Sequence, residues 1–478
     1  MPETMTLDND LAAIQEVRTL VRAAKSAQAR LATFSQDEID RICAAMARAG
    51  HDHAGQLAQQ AVAETGFGKA EDKTIKNLFA SDTLWASIKD LRTVGIIAEH
   101  PDRGITEIGV PMGVIAGVVP STNPTSTAIF KSIIAVKAGN AIVLSPHPGA
   151  KACTLAATRI VAAAGEAAGL PPGAVACLEH PTLDATDALM SHKDVALILA
   201  TGGPGMVKAA YSSGTPAIGV GPGNGPSYIE QTADIPAAVR RIIDSKTFDN
   251  GTICASEQSV VTEDCIREQV IAEFTHQGGY FLQGPEKDAV GAILMRANGS
   301  MNPAIVGQTA VRVAELAGIR VPPGTKVLLG FETEVGHKFP YSREKLCPVL
   351  GFYSQPDWES ACELCIRILM NEGAGHTMTI HSRNEDVIRE FALKKPVSRL
   401  LVNTPGALGG VGATTGLAPS LTLGCGAVGG NSTSDNIGPL NLINIRRLAR
   451  GRRELSELRP DIEQLVRRVV EELLKAAR

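Results

Sequence analysis

Cys254 lies in the run Phe248-Asp249-Asn250-Gly251-Thr252-Ile253-Cys254-Ala255-Ser256-Glu257-Gln258. It is flanked by small residues, follows an Asn-Gly turn signal and precedes the apolar run Ser259-Val260-Val261, so its thiol is presented at a loop-to-strand junction. A thiolate placed there can attack an electrophilic carbon, because little bulk blocks the approach. A second chemical group stands far upstream, in Pro120-Ser121-Thr122-Asn123-Pro124. That segment follows an apolar strand directly, which puts the Asn123 amide at a strand's carboxyl end, where ligand crevices of α/β sheets lie. Beside a nucleophilic Cys, its N–H groups can donate to an oxygen that becomes anionic when the thiolate adds to a carbonyl. Thr201-Gly202-Gly203-Pro204-Gly205 ends another strand and opens a helix, whose amino end can meet an anion.

These residues need a scaffold. From about residue 8 to 95 the pattern is helical, with Leu11, Ile14, Val17 and Val21 at helical spacing. Beyond residue 104, short apolar runs alternate with Ala-rich helices. Strands are expected at 113–119, 141–144 and 195–200, and helices at 126–138, 151–169 and from Met206. This alternation implies a parallel sheet with crossover helices. A second α/β segment is expected from near residue 240, with strands around 326–329, 348–352, 378–380 and 400–403. Two stacked α/β domains leave a cleft between them. Pro and Gly cluster over 403–439, which reads as a functional loop region.

The chain has 478 residues, 44% apolar and 20% charged, with a net charge of −4. Two or three domains with ample core follow, and neither nucleic acid nor an anionic membrane is indicated as partner. The nine Cys form no paired framework. Cys362 and Cys365 form a C-x-x-C within a helical period, which suits helix packing, and no metal site is expected. An odd Cys count without a signal peptide points to the cytoplasm. No apolar stretch reaches the roughly 18 residues of a membrane span. After the basic run Arg446–Arg453, Pro460 can open a terminal helix. Ile462, Leu465, Val466, Val469, Val470, Leu473 and Leu474 then share one face, a stripe that docks either on its own protein or in a partner's groove.

Three blocks carry a family resemblance: Pro124–Lys131, Phe248–Gln258 and Leu417–Gly426. With Asn123 and Cys254 at this separation, the chain resembles the aldehyde dehydrogenase superfamily over about residues 10 to 448. It is most similar to the CoA-acylating branch, including the aldehyde-dehydrogenase half of bifunctional aldehyde–alcohol dehydrogenases. The resemblance implies two Rossmann-type doubly wound α/β domains plus a small β ribbon. Residues 1–240 would hold the N-terminal helices and the dinucleotide-binding domain, 241–424 the catalytic domain, 425–448 a ribbon segment and 449–478 a basic linker and terminal helix. Ribbon strands are expected near 104–112 and 425–445, joining dimers or tetramers.

Site residues follow from the same resemblance. Hydrolytic members carry a water-activating Glu where this chain has Gly219–Pro226, without a carboxylate, so an acyl-enzyme would wait for the thiol of coenzyme A. The glycines there would leave room for its pantetheine arm. Glu344 matches a Glu that bonds the nicotinamide ribose. His376 matches a branch His that could accept the CoA thiol proton, imidazole titrating near neutral pH. Ser121, Thr122, Ser145, His147, Pro148, Thr201, Gly202, Gly203, Val220, Gly221, Pro222 and Gly223 fall among cofactor-contacting positions. Ser145-Pro146-His147-Pro148 lacks the family's Lys, which leaves NAD or NADP open. The implied reaction converts a short aldehyde of the acetaldehyde or propionaldehyde type, with NAD(P) and CoA, to acyl-CoA through a Cys254 thioester. Sulfoacetaldehyde is the alternative substrate, and plain hydrolytic oxidation a further one. The tail resembles helices that attach enzymes to bacterial microcompartment shells, with a shell protein as partner of residues 455–478.

Overall fold

The computed structural model describes residues 8–458 and 461–476; Pro460 lies outside them. Helices Asn9–Leu31, Gln36–Asp52, Ala54–Thr65 and Ala70–Leu78 open the fold. The first buries Ala13, Val17, Val21, Ala24 and Leu31 along one stripe, as its spacing requires. The second starts at a capping box in which Ser35 and Glu38 satisfy each other's backbone N–H. Helix Ala70–Leu78 runs through a π turn, Phe79–Thr83, into Leu84–Ile88.

Strands follow in the order β1 (Gly95–His100), β2 (Ile105–Pro111), β3 (Val114–Val119), β4 (Ala141–Pro146), β5 (Val175–Cys177), β6 (Val195–Thr201) and β7 (Ala217–Val220). After them come β8 (Pro226–Ile229), β9 (Ser259–Glu263), β10 (Gly279–Leu282), β11 (Val327–Phe331), β12 (Val349–Gln355), β13 (Gly375–His381), β14 (Val397–Val402) and β15 (Ile443–Ala449). β3 to β7 form a parallel sheet of order β5-β4-β3-β6-β7. Its order reverses at β3, so the loops after β3 and β6 open a crevice between them. β8 to β14 form a second parallel sheet of order β10-β11-β12-β9-β8-β13-β14. Apolar runs expected as strands are strands here, and those of β3 and β4 are buried on both faces as a parallel sheet requires.

Two expectations shift. The second sheet begins at Pro226 rather than near 240, because β8 is only four residues long and lies before the helix Ile235–Thr247. The ribbon is a three-stranded antiparallel sheet, β1-β2-β15. β2 falls where expected, but its outer partners are β1 and β15. Residues 425–442 instead carry short 3₁₀ turns at Ala427–Gly429 and Pro439–Leu442. That stretch is rich in Gly, Asn and Ser, which favour turns, whereas Ile443-Asn444-Ile445 alternates as a strand does.

Cys362 and Cys365 are buried in helix Trp358–Asn371, where the Cys362 sulfur meets the Lys395 ammonium. Among the described residues nothing covers the stripe of the terminal helix Ile462–Ala476: its seven apolar residues are 46% to 70% exposed. Among the described residues no helix is long and apolar enough to cross a membrane.

Candidate active site

The carboxyl ends of β3 and β6 face the amino ends of β9, β12 and β13 across a cavity of about 510 Å³. Ser121, Thr122 and Asn123 line it from the loop after β3, and Thr201, Gly202 and Gly203 from the end of β6. Val220, Gly221 and Pro222 join them from the crossing between the sheets, and His147 from the loop after β4. Cys254 precedes β9 and Glu344 precedes β12, and both line the same cavity. The Gly/Pro-rich region supplies an apolar end, with Val411, Leu421 and Leu423 beside Ile253.

The turn before Cys254 is sharp. Asp249, Asn250 and Gly251 have φ of 48°, 51° and 76°, and left-handed backbone is tolerated by Asn, Asp and Gly. Asp249 is the hub that holds it. Its Oδ1 accepts from the Lys69 N–H, and its Oδ2 accepts from the ammonium groups of Lys73 and Lys76 and from the Thr252 hydroxyl. Both lysines lie one turn apart on helix Ala70–Leu78.

His376, second residue of β13, is buried behind the nucleophile, with Nε2 3.2 Å from Cys254 Sγ. Its Nδ1 lies 3.0 Å from Thr377 Oγ1, which also accepts from Arg399 Nε. A hydroxyl has two lone pairs, so Thr377 can take both protons and leave Nε2 as a lone pair facing the thiol. Burial, then the Arg399 charge, pushes the imidazole down to about 3. Burial, then Glu344, pushes the Cys254 thiol up to about 12. The resting pair is therefore a neutral thiol beside a neutral imidazole. The expectation that this His titrates near neutral pH is overturned, because an enclosed ring beside a guanidinium resists a second positive charge.

Glu344 Oε1 accepts the Gly223 N–H at 2.8 Å, and burial raises its carboxyl to about 8, with Glu372 adding to the effect. Gly223 is thus a structural neighbour of the site. A Cβ there would meet the Cys254 carbonyl oxygen at 1.9 Å, whereas one at Gly221 would stand in open space. Room for a ligand arm exists at Gly221 and not at Gly223. Two further expected residues do not line the cavity. Ser145 is buried in the sheet with its hydroxyl 2.8 Å from that of Thr186, since strand alternation turns it inward. Pro148 is exposed in the 3₁₀ turn that follows His147. His147 reaches the wall, its Nδ1 accepting the Gly149 N–H.

Sequence reasoning missed the supports. Arg343 joins the wall, donating to the Gly299 carbonyl and pairing with Glu372, whose other oxygen takes the Glu344 N–H. Lys73, Lys76, Asp249 and Arg399 carry no local signal beyond burial, and Met295 to Met301 reach the cavity from a distant hairpin. Only the left-handed pair before Gly251 was foreshadowed, by the Asn-Gly dipeptide.

The "Aldehyde dehydrogenase family" model matches residues 3–338. The bifunctional aldehyde-alcohol dehydrogenase of Escherichia coli is 48% identical over 91% of this chain and 50% of its own length, so the chain spans about half of that curated relative. Among solved structures, an acetylating aldehyde dehydrogenase from Geobacillus thermoglucosidasius is 53% identical with a TM-score of 0.93, covering 94% of this chain and 99% of its own. A propionaldehyde dehydrogenase from the fucose utilisation microcompartment of Clostridium phytofermentans is 28% identical, with a TM-score of 0.83 over 91% and 97%. One from Rhodopseudomonas palustris, with bound CoA and an acylated cysteine, is 27% identical with a TM-score of 0.82 over 91% and 97%.

Proposed function

Because the chain belongs to the aldehyde dehydrogenase family, we propose that it oxidises a short-chain aldehyde to its CoA thioester, with NAD or NADP. One observation carries this reading. A thiol–imidazole pair 3.2 Å apart sits at a cavity whose wall over 219–226 offers no carboxylate to activate water. The Cys254 thiolate, its proton received by His376 Nε2, attacks the aldehyde carbon. Asn123 Nδ2 and the Cys254 N–H donate to the oxygen that takes up the charge. A bound nicotinamide supplies the hydride acceptor and CoA the acyl-accepting thiol. As the hydride departs, the proton on His376 is lost to solvent and Cys254 carries the acyl group as a thioester. Neutral His376 then takes the proton of the incoming thiol and returns it to the Cys254 sulfur as acyl-CoA leaves.

The wall fits both ligands. Gly203 and Gly205 precede and open the helix Pro204–Ser212 with open space where a Cβ would stand, so a diphosphate can approach its amino end. Gly221 leaves a path toward Cys254. The relative with bound CoA and an acylated cysteine supports the same chemistry. The apolar end at Ile253, Val411, Leu421 and Leu423 suits a short alkyl chain. A sulfonate would want a free cation, and Arg343 is committed to Glu372 and Gly299, which favours a neutral aldehyde over sulfoacetaldehyde. The ribbon β1-β2-β15 exposes Ile96, Ile445 and Leu448 and would join two or four copies in the cytoplasm. The bare stripe of Ile462–Ala476 would dock on a microcompartment shell protein, a reading supported by the microcompartment origin of one similar enzyme. Product analysis with and without CoA tests the activity. Acyl-CoA should form in step with reduced cofactor, and free acid released as fast without CoA overturns the reading.

A further inference from the structure

Asn123 does not hold itself. Its Nδ2 makes two long contacts, 3.2 Å to Oγ1 of the adjacent Thr122 and 3.3 Å to the carbonyl of Thr252 in the turn before Cys254. Its Oδ1, by contrast, accepts a 2.6 Å bond from the buried Lys76 ammonium. The same ammonium donates to Asp249 Oδ2 at 2.5 Å and to Thr252 Oγ1 at 2.9 Å. An ammonium has three protons, and all three are used.

From this geometry we propose that Lys76 is a positioning residue for the oxyanion site, fixing the Asn123 amide so that its N–H groups, and not its oxygen, are offered beside Cys254. A flipped amide would press N–H against an ammonium and leave a buried charge with two partners instead of three, a costly exchange. The charge on Oδ1 also polarises the amide, which strengthens the N–H donors toward a developing oxyanion. The groups around Lys76 are Lys73 and Asp72 on its own helix, Asp249, Thr252 and the Phe248 ring on the turn before Cys254, and Asn123 after β3. Burial pulls the Lys76 ammonium down to about 8, with Asp249 opposing and Lys73 adding, so it carries its charge at neutral pH.

The proposal rests on the covalent chemistry proposed for Cys254, and its test separates the two. Lys76→Met is combined with Asn123→Ala in a double-mutant cycle. The cycle reads the single-turnover burst of reduced cofactor without CoA, so a failure to make acyl-CoA overturns the acyl-acceptor reading and leaves this one standing. Lys76→Met should slow the burst at saturating aldehyde by on the order of 10-fold or more. In the Asn123→Ala background the same substitution should cost less than about 2-fold, because the group it positions is gone. Cys254 alkylation by iodoacetamide creates no oxyanion and should proceed at the parent rate in both variants. Equal losses in both backgrounds, or an alkylation rate that falls with the burst, overturn the proposal. Should Lys76→Met fail to fold, Lys76→Gln, polar but uncharged, goes through the same cycle, where a loss confined to the Asn123 background supports the proposal and equal losses overturn it.

Discussion

At the residue scale the site is a neutral pair waiting for charge. With the thiol held up near 12 and the imidazole down near 3, little thiolate exists in the empty cleft at neutral pH. Alkylation of Cys254 in the ligand-free protein should therefore climb steadily from about pH 7 to about pH 10. A plateau near neutrality would show an imidazolium–thiolate pair instead. A bound cationic nicotinamide ring would favour the ionised sulfur and so couple nucleophile activation to cofactor binding. His376→Ala should slow turnover by about 10²- to 10⁴-fold at saturating substrate, the usual worth of a positioned base. Asn123→Ala should cost about 10²- to 10³-fold in kcat with little change in KM, as loss of one oxyanion donor does. In mass spectra of protein treated with aldehyde and cofactor but no CoA, the acyl mass should sit on Cys254.

At the element scale, the crossing between the sheets is a tight joint beside the nucleophile. Gly223 lies where the backbone before β8 passes the Cys254 carbonyl, and Gly225 likewise passes the Thr377 carbonyl, where a Cβ would stand 2.4 Å away. Gly223→Ala must part the backbone before β8 from the Cys254 carbonyl, so it should lower kcat by on the order of 10²-fold, since misplacement of the nucleophile by about 1 Å can cost that much. Steady-state kinetics with a thermal melt separates displacement from unfolding. The terminal helix is a contrasting case, because none of its apolar stripe is covered. Deleting 455–478 should leave turnover and melting temperature unchanged while altering what the protein binds in cells. Lost activity would mean that the helix belongs to the fold of the assembled enzyme.

At the scale of the whole molecule, the two sheets bury titratable groups whose shifts give stability a pH signature. Glu344 is raised from 4.5 to about 8 and Glu257 to about 7, both mainly by burial. Between their unfolded and folded values the native state holds more protons than the unfolded one, so stability falls as pH rises. His376 and His381, lowered from 6.5 to about 3, act with the opposite sign below about 6.5. Buried Lys131 and Lys345, held well below their usual value, act there with the opposite sign, so the Glu344 contribution should be read as a difference. Between about pH 6.5 and 8 in urea titrations of the ligand-free protein, Glu344→Gln should lose a falling component of the slope; an unchanged slope would assign the effect elsewhere. The chain on its own determined much of this protein: strand and helix alternation is periodic burial, and a Cys among small residues after Asn-Gly is a local signal. The three blocks around Asn123, Cys254 and 417–426 added the family. Tertiary structure alone decided that Ser145 turns inward, that β15 and not 425–442 completes the ribbon, and that His376 is buried neutral behind Cys254. It also brought Lys76, Asp249 and Arg399 to the site. Those outcomes depend on which strands become neighbours and on how much water their packing removes, and neither is written in any short stretch of residues.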